Sequence, residues 1–580
     1  MSKKKMAITL SAMLSATIIP SFTMNVHAEK KEEIKNTKIE LENGMTKPIY
    51  SLDEAIIENL YVETEVDSDR DGKKDRVSIK VMRPKTDPNV KVPVIYEMSP
   101  YRSGLKAVPV YNVDEELYAY EGKKPYGAVN LGSYGNYYVP RGYAVILGES
   151  IGTGKSDGCP TTGDEQEILG TKSVIDWVNG RAKAFTEQGE EVQANWSTGN
   201  VGMTGVSYNG TLPNAVATTG VEGLKTIVPI AAISSWYDYY RANGAVIAPG
   251  GYQGEDTDNM AEAVLTRENP EVCGQVIKEL TAGQDRKTGN YNDFWDKRNY
   301  VKDAKNVKAS VFVVHGLNDW NVKTKQFAQW WEALAENNVP RKMWLHQGGH
   351  GGTSSNNWQQ TQNKWLDYWL YGIENGIMDE PMVDVQRENK TWQKIKNWPD
   401  PAAVPSKIRM YLSNKSVNLP LSMGAANKVF SVLDDAQMKS NQLVANPELE
   451  VANRLVYTMP VLQKDTRISG TPKISITGNI DRSVSNLTAL LVDYGGAKPE
   501  IVTRGWMDPQ NLKSIENSTA IQPGKDYTFT WDMQPDDYVF KVGHQIGVVL
   551  IASDYDYTIR PKAGTKLTVK LSEVTLPIVK

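Results

Sequence analysis

The chain has 580 residues, a formal net charge of −4, 40% hydrophobic and 23% charged residues, and only two cysteines. That balance excludes wholesale disorder, a collagen-like repeat, a disulfide-built scaffold and a cysteine-built zinc cluster. The length predicts two or more domains, and the near-neutral charge gives no basis for a nucleic-acid partner.

Residues 1–28 read as an export signal. Lys3, Lys4 and Lys5 precede a mostly apolar or small run from Met6 to Met24, and Val26-His27-Ala28 offers a small-x-small cleavage site before Glu29. Removing the three lysines with the signal moves the net charge from −4 to −7. No later run is apolar and long enough to span a membrane, so a secreted, extracellular protein is expected. Outside the cell Cys159 and Cys273 could pair, but spacing cannot say whether their Cβ atoms approach, and two buried thiols read equally well.

Val77–Val81, Val92–Tyr96 and Tyr143–Leu147 are short apolar or β-branched runs that read as strands. Thr171–Val178 has helical spacing. Val201–Thr204 reads as a strand running into Gly205, with helix-compatible sequence after Gly210. Thr226–Ile230 and Ser310–Val314 are further buried-strand candidates, and helices between strands predict a parallel α/β sheet. The helix-like, aromatic stretch 234–309 lacks strand alternation and reads as a helical cap inserted between residues 46–233 and 310–375. Trp358–Tyr371 closes that unit as an amphipathic helix. Residues 392–580 contain short strand candidates, such as Lys473–Thr477 and Thr488–Tyr494, with turns between them and no long helix, which predicts an all-β, jelly-roll-like sandwich.

Between the first strands lies Asp67-Ser68-Asp69-Arg70-Asp71-Gly72, matching the first half of a calcium loop. The acid due six residues after the glycine is Ser78, so Ca2+ at Asp67, Asp69 and Asp71 competes with a plain Asp-Gly hairpin turn. No other metal or cofactor is implied.

The chemistry concentrates at Gly205-Val206-Ser207-Tyr208-Asn209-Gly210. A serine on a sharp strand-to-helix turn is exposed and strained toward substrate, although the second glycine falls one place later than in the usual G-x-S-x-G elbow. Such a serine needs a base and an orienting acid, in the chain order Ser, Asp, His when the fold is an α/β-hydrolase. Strand Val311–Val314 leads to His315-Gly316-Leu317-Asn318-Asp319, and the apolar run Lys342–Leu345 leads to His346-Gln347-Gly348-Gly349-His350. Ser207, Asp319 and His350 are therefore the predicted catalytic triad. His315 and His346 read as buried supports and His544 as structural.

Gly205-Val206-Ser207-Tyr208-Asn209-Gly210 resembles the nucleophile motif of the Xaa-Pro dipeptidyl-peptidase and cocaine-esterase family of α/β-hydrolase serine hydrolases. Ser235-Trp236-Tyr237-Asp238-Tyr239-Tyr240-Arg241, Tyr291-Asn292-Asp293-Phe294-Trp295 and His315-Gly316-Leu317-Asn318-Asp319-Trp320-Asn321-Val322 are similar to its dipeptidyl-peptidase branch, over about Tyr61 to Gly372. The resemblance implies an oxyanion hole from the Tyr101 hydroxyl and the Tyr208 amide. It also implies secreted exopeptidase action on peptides with a free N-terminus and proline second. Trp236, Tyr237 and Tyr240 could wall a proline pocket, and Glu255 or Asp256 could receive the substrate ammonium. An ester hydrolase or acylase on the same scaffold is the alternative, and a non-catalytic surface-binding protein is the reading of another class. The cytoplasmic dipeptidyl-peptidases resembled carry a larger N-terminal domain, and the sequence leaves the oligomeric state open.

Overall fold

The computed structural model describes residues 38–114, 120–124, 133–352, 357–412 and 429–580, with backbone alone at 120–124 and 571. The predicted export signal, 1–28, lies outside these residues.

A sheet of twelve strands carries the N-terminal half. Its centre is parallel: Ala144–Glu149, Val92–Ser99, Ser197–Val206, Leu224–Ile230, Ser310–Gly316 and Arg341–His346 lie side by side in that order. Val92–Ser99 and Ser310–Gly316 are buried throughout, because helices cover both faces. Helices Glu165–Val178, Tyr208–Ala217 and Lys325–Glu336 connect successive strands. The edges are antiparallel: Ile56–Glu63 pairs with Arg76–Arg83 as the predicted hairpin, and Val383–Gln386 pairs with Trp392–Ile395. The sheet thus continues beyond residue 375 and takes in Trp392, where the sequence had suggested that the β-domain begins. Four-residue edge strands are too short to show periodicity.

Residues 234–309 fold into short helices, among them Tyr237–Tyr240, Thr257–Val264 and Gly274–Gly283, plus a two-residue hairpin, Arg241–Ala242 with Ala245–Val246. Cys159 and Cys273 form a disulfide that ties this cap to the loop after Glu149. Among the described residues from Ala403 onward, two antiparallel sheets of seven and five strands enclose a second apolar core, including Ile476, Leu491, Phe529 and Val548. None of the helices among the described residues is long and apolar enough to cross a membrane.

Candidate active site

Strand Ser197–Val206 ends in a sharp turn. Ser207 sits at φ 64° and ψ −127°, and its N–H donates to the Ile230 carbonyl at 2.9 Å. Left-handed backbone is costly for a serine and persists only where the surroundings over-determine it. Helix Tyr208–Ala217 starts at once, its Gly210 and Thr211 N–H groups donating to the Ser207 carbonyl. A Cβ at Gly205 would lie 2.5 Å from the Asn209 carbonyl oxygen, and one at Gly210 would lie 2.6 Å from that of Gly205. Both glycines are therefore steric requirements. The shifted second glycine faces the Gly205 and Ile230 backbones, while Asn209 reaches Glu97.

The parallel strands deliver the other groups at the same edge, as open α/β sheets do. Ser207 Oγ lies 2.9 Å from His350 Nε2, and His350 Nδ1 lies 2.8 Å from Asp319 Oδ2. Asp319 is buried, and its Oδ1 accepts from the Asn321 and Val322 N–H groups at 3.0 and 2.9 Å. The Leu317 and Asn318 N–H groups donate to the His346 and Gly348 carbonyls, stitching the acid loop to the histidine loop. Buried His315 donates from Nε2 to the Val322 carbonyl, and desolvation holds its pKa below the ordinary value. His346 is pushed down to about 4, first by burial, and its Nδ1 accepts from Gly348 N–H. Neither competes for the serine. His544 pairs with Asp493 in the β-domain.

Tyr101 follows strand Val92–Ser99, and its ring meets Tyr208 edge-on at 5.9 Å. Burial first, then the charges of Glu255 and Glu167, raises its pKa well above the ordinary value, so the phenol stays a proton donor. Glu97 anchors the turn beside it through Arg102 at 2.5 Å. The Tyr208 amide is the first N–H of its helix and points out of the helix end.

The model of the X-Pro dipeptidyl-peptidase (S15) family matches residues 71–352, and that of the X-Pro dipeptidyl-peptidase C-terminal non-catalytic domain matches 375–579. A Bacillus cereus relative, provisionally named an Xaa-Pro dipeptidyl-peptidase, is 97% identical over the whole of both chains. The chain belongs to the X-Pro dipeptidyl-peptidase (S15) family of serine hydrolases. An Xaa-Pro dipeptidyl-peptidase of Lacticaseibacillus rhamnosus is 33% identical, covering 92% of this chain and 78% of its own. In fold the chain is similar to a CocE/NonD family hydrolase from Staphylococcus aureus (TM-score 0.65, 16% identity, 92% of this chain and 98% of that one). It is similar to the same degree to an α-amino acid ester hydrolase, with TM-score 0.65, 16% identity and the same coverage.

Within this S15 fold the predicted pocket residues separate. Trp236 is buried, meets Tyr208 edge-on at 4.9 Å and stacks on Tyr240 at 6.2 Å. The Tyr240 hydroxyl donates to buried Glu255 at 2.8 Å. These residues form one cluster beside the Ser207 turn. Tyr237 does not join it: its hydroxyl donates to the Gly289 carbonyl and its ring packs against Tyr291 and Trp295, in the interior of the cap. Asp256 is also corrected. It is wholly buried, bonded to Arg241 and Arg286 at 3.0 Å each, and caps helix Thr257–Val264. Two guanidiniums neutralise it, which leaves Glu255 as the acid of the pair near the pocket.

At the hairpin, the Asp67, Asp69 and Asp71 carboxylates lie within 4.8 Å of one another. Asp67 accepts from the Asp71 and Gly72 N–H groups, and Asp69 is paired with Arg267 at 2.7 Å. The loop's own N–H groups and one guanidinium thus occupy part of the oxygen set that a cation would need.

Sequence reasoning missed Glu167, which has no motif around it. It is buried and accepts from the Tyr208 hydroxyl and from Gly163 N–H, each at 2.7 Å, fixing the ring of the residue after Ser207. Burial pushes it from 4.5 up to about 7. The folded protein therefore holds a proton there that the unfolded chain releases. The stability this contributes is full below about pH 4.5 and is lost as pH rises through about 7. Denaturant unfolding at pH 5, 6, 7 and 8 is expected to show a shallower fall for Glu167→Gln than for the wild type. Equal slopes would mean that Glu167 does not titrate in this window.

Proposed function

We propose that the chain is an exported serine exopeptidase that releases Xaa-Pro dipeptides from free N-termini through an acyl-enzyme. The observation that carries this is the continuous hydrogen-bond chain from Ser207 through His350 to Asp319, opening beside an aromatic cluster that holds buried Glu255. Ser207 attacks the carbonyl after proline while His350 takes its proton. Asp319 fixes the imidazole tautomer and stabilises the imidazolium. The Tyr101 hydroxyl and Tyr208 N–H receive the developing oxyanion. His350 then protonates the departing amine, and water cleaves the acyl-enzyme by the same steps. Glu255 takes the substrate's ammonium, which limits the enzyme to cutting two residues from the end. The buried cluster of Trp236, Tyr208 and Tyr240 beside Ser207 supplies apolar surroundings suited to a proline ring.

The test is release of p-nitroaniline from Gly-Pro-p-nitroanilide and from its N-acetylated form. Turnover of the free amine alone supports the exopeptidase reading. Turnover only of simple p-nitrophenyl esters moves the assignment to an ester hydrolase or acylase. No labelling of Ser207 by a serine-reactive phosphonate would leave a binding protein.

Within this scheme Tyr101→Phe removes one of two oxyanion donors while keeping the ring contact with Tyr208. It is expected to lower kcat by about 10²–10³ with little change in KM. An unchanged kcat would place the second donor elsewhere.

Export is part of the proposal. Its supports are the signal-like residues 1–28 and the Cys159–Cys273 disulfide, a bond that persists in oxidising compartments. N-terminal sequencing of protein from culture medium should begin at Glu29. Intact Met1 on cell-retained protein would overturn it.

A further inference from the structure

Arg504 and Trp506 lie two apart on strand Glu500–Met507, at the edge of the smaller sheet of the β-domain, so their side chains leave the same face. Both are buried, and both bond one oxygen of buried Asp554, Arg504 at 2.8 Å and the Trp506 indole N–H at 3.0 Å. The ring of Tyr557, three residues after that aspartate, packs on Trp506 at 5.3 Å. Together these side chains hold a residue from the other half of the chain. It is Trp320, directly after Asp319, whose half-buried ring meets Trp506 edge-on at 6.5 Å and Tyr557 at 6.1 Å. The Arg504 guanidinium lies 4.8 Å over the same ring.

The anchor reaches the acid through one peptide unit. Asp319 Oδ1 accepts from the Asn321 and Val322 N–H groups, so the backbone that carries the Trp320 ring also carries the carboxylate and the donors that orient it. From the sheet side the loop is held at Leu317 and Asn318, by the histidine loop, and at Val322, by His315. Trp320, at the outer point of the loop, is held instead by the cap and the β-domain. Its carbonyl accepts from Gly250 N–H of the cap at 2.9 Å, and a Cβ at Gly250 would lie 3.0 Å from that oxygen. The cap in turn is tied to the same β-domain residues. Ala248 N–H donates to the Tyr557 carbonyl at 2.7 Å, and the Asn243 amide donates to that of Trp506 at 2.9 Å.

We propose that the β-domain is a working part of the active site: Trp506, through its contact with Trp320, holds Asp319 in register with His350. The inference rests on the triad reading, since it concerns the 2.8 Å bond from His350 Nδ1 to Asp319 Oδ2. Asp554 fixes Trp506 and Arg504, these fix the Trp320 ring, and the ring fixes the turn on which the carboxylate sits. Trp506 touches no reacting atom and is a positioning residue.

The test is steady-state kinetics of the full chain on Gly-Pro-p-nitroanilide. Trp506→Leu keeps an apolar side chain but removes the ring. It is expected to lower kcat by about 10- to 100-fold with KM within about twofold of the wild type, because small misplacements of reacting groups cost about that much. Trp506→Phe, which keeps a ring against Trp320, should recover most of the loss. Added to Asp319→Asn, Trp506→Leu should lower kcat by no more than about twofold further, because the group it positions is already disabled. Val548→Ala, in the separate core of the β-domain, should keep the wild-type kcat, which distinguishes positioning from a loosened domain. Loss of a wholly buried tryptophan can prevent folding, so Trp320→Leu reads the same contact from its half-buried side. It should show the same fall in kcat, again absent in Asp319→Asn. A kcat within about twofold of wild type in Trp506→Leu or Trp320→Leu, or a change confined to KM, overturns the proposal. So does an equal loss in the Asp319→Asn background or in Val548→Ala. Wild-type kcat in Asp319→Asn alone would refute the triad reading itself, and this proposal with it.

Discussion

Ser207→Ala is expected to lower kcat on Gly-Pro-p-nitroanilide by about 10⁶, and Asp319→Asn by about 10⁴. The difference follows from what each change removes. In the proposed mechanism no acyl-enzyme forms without the Ser207 hydroxyl, and His350 has nothing to deprotonate at 2.9 Å. Only the oxyanion donors and binding remain, so the residual rate should stand well above the uncatalysed one. With asparagine at 319 the nucleophile survives, but its base is held in the wrong state. Oδ1 of Asp319 must accept from two backbone N–H groups while Oδ2 accepts from His350 Nδ1. An amide has one acceptor oxygen, which the Asn321 and Val322 N–H groups would claim. Its NH₂ would then face Nδ1 and favour the tautomer that cannot take the serine proton. His315 cannot substitute, because its Nε2 is committed to the Val322 carbonyl. Steady-state kinetics with active-site titration checks both values. Retention of more than about 1% of activity by Ser207→Ala would place the nucleophile elsewhere.

The parallel strands were legible because they are buried on both faces and read as unbroken apolar runs. Val311–Val314 is an example, and the observed strand extends only to Ser310–Gly316. The relay was legible because the protein has few histidines and the order Ser, Asp, His is fixed by the sheet. Contacts that depend on three-dimensional direction were not. Tyr237 and Tyr240 lie three apart in one short aromatic run, yet one hydroxyl meets Gly289 and the other Glu255. Glu255 and Asp256 are neighbours, and only the fold reveals that Arg241 and Arg286 take the second of them. Lys323 and Lys325 look alike in sequence; one is buried without an ion pair, the other is half-exposed and bonded to Asp238. Burial and counter-charge are properties of the assembled protein, which is why the relay could be read from the chain and the pocket could not.

Replacing Cys159 and Cys273 together by alanine is expected to destabilise the folded chain by about 4–5 kcal/mol. The bridge joins residues 114 apart, and the entropy it removes from the unfolded ensemble grows with that loop. Both cysteines are buried against Leu265 and Val276, so the alanines also lose apolar contact. Non-covalent ties cross the same seam. Arg267 donates to the Gly158 carbonyl and pairs with Asp69, and Arg70 pairs with Glu279 at 2.6 Å. The first is half-sheltered and keeps some of the cap's registration, whereas the second is exposed and contributes little. The variant should therefore still fold, and the loss should appear first in the cap, as faster amide exchange in Gly274–Gly283 than in the strand Ser310–Gly316. Because the N-terminal half and the β-domain have separate cores, the comparison belongs to exchange resolved by segment rather than to one melting temperature. Unchanged exchange in Gly274–Gly283 would mean that packing alone holds the cap. Protein made in a reducing cytoplasm should behave like the double-alanine variant until it is oxidised, which links the stability of the cap, and with it the position of Glu255, to the redox state of these two cysteines.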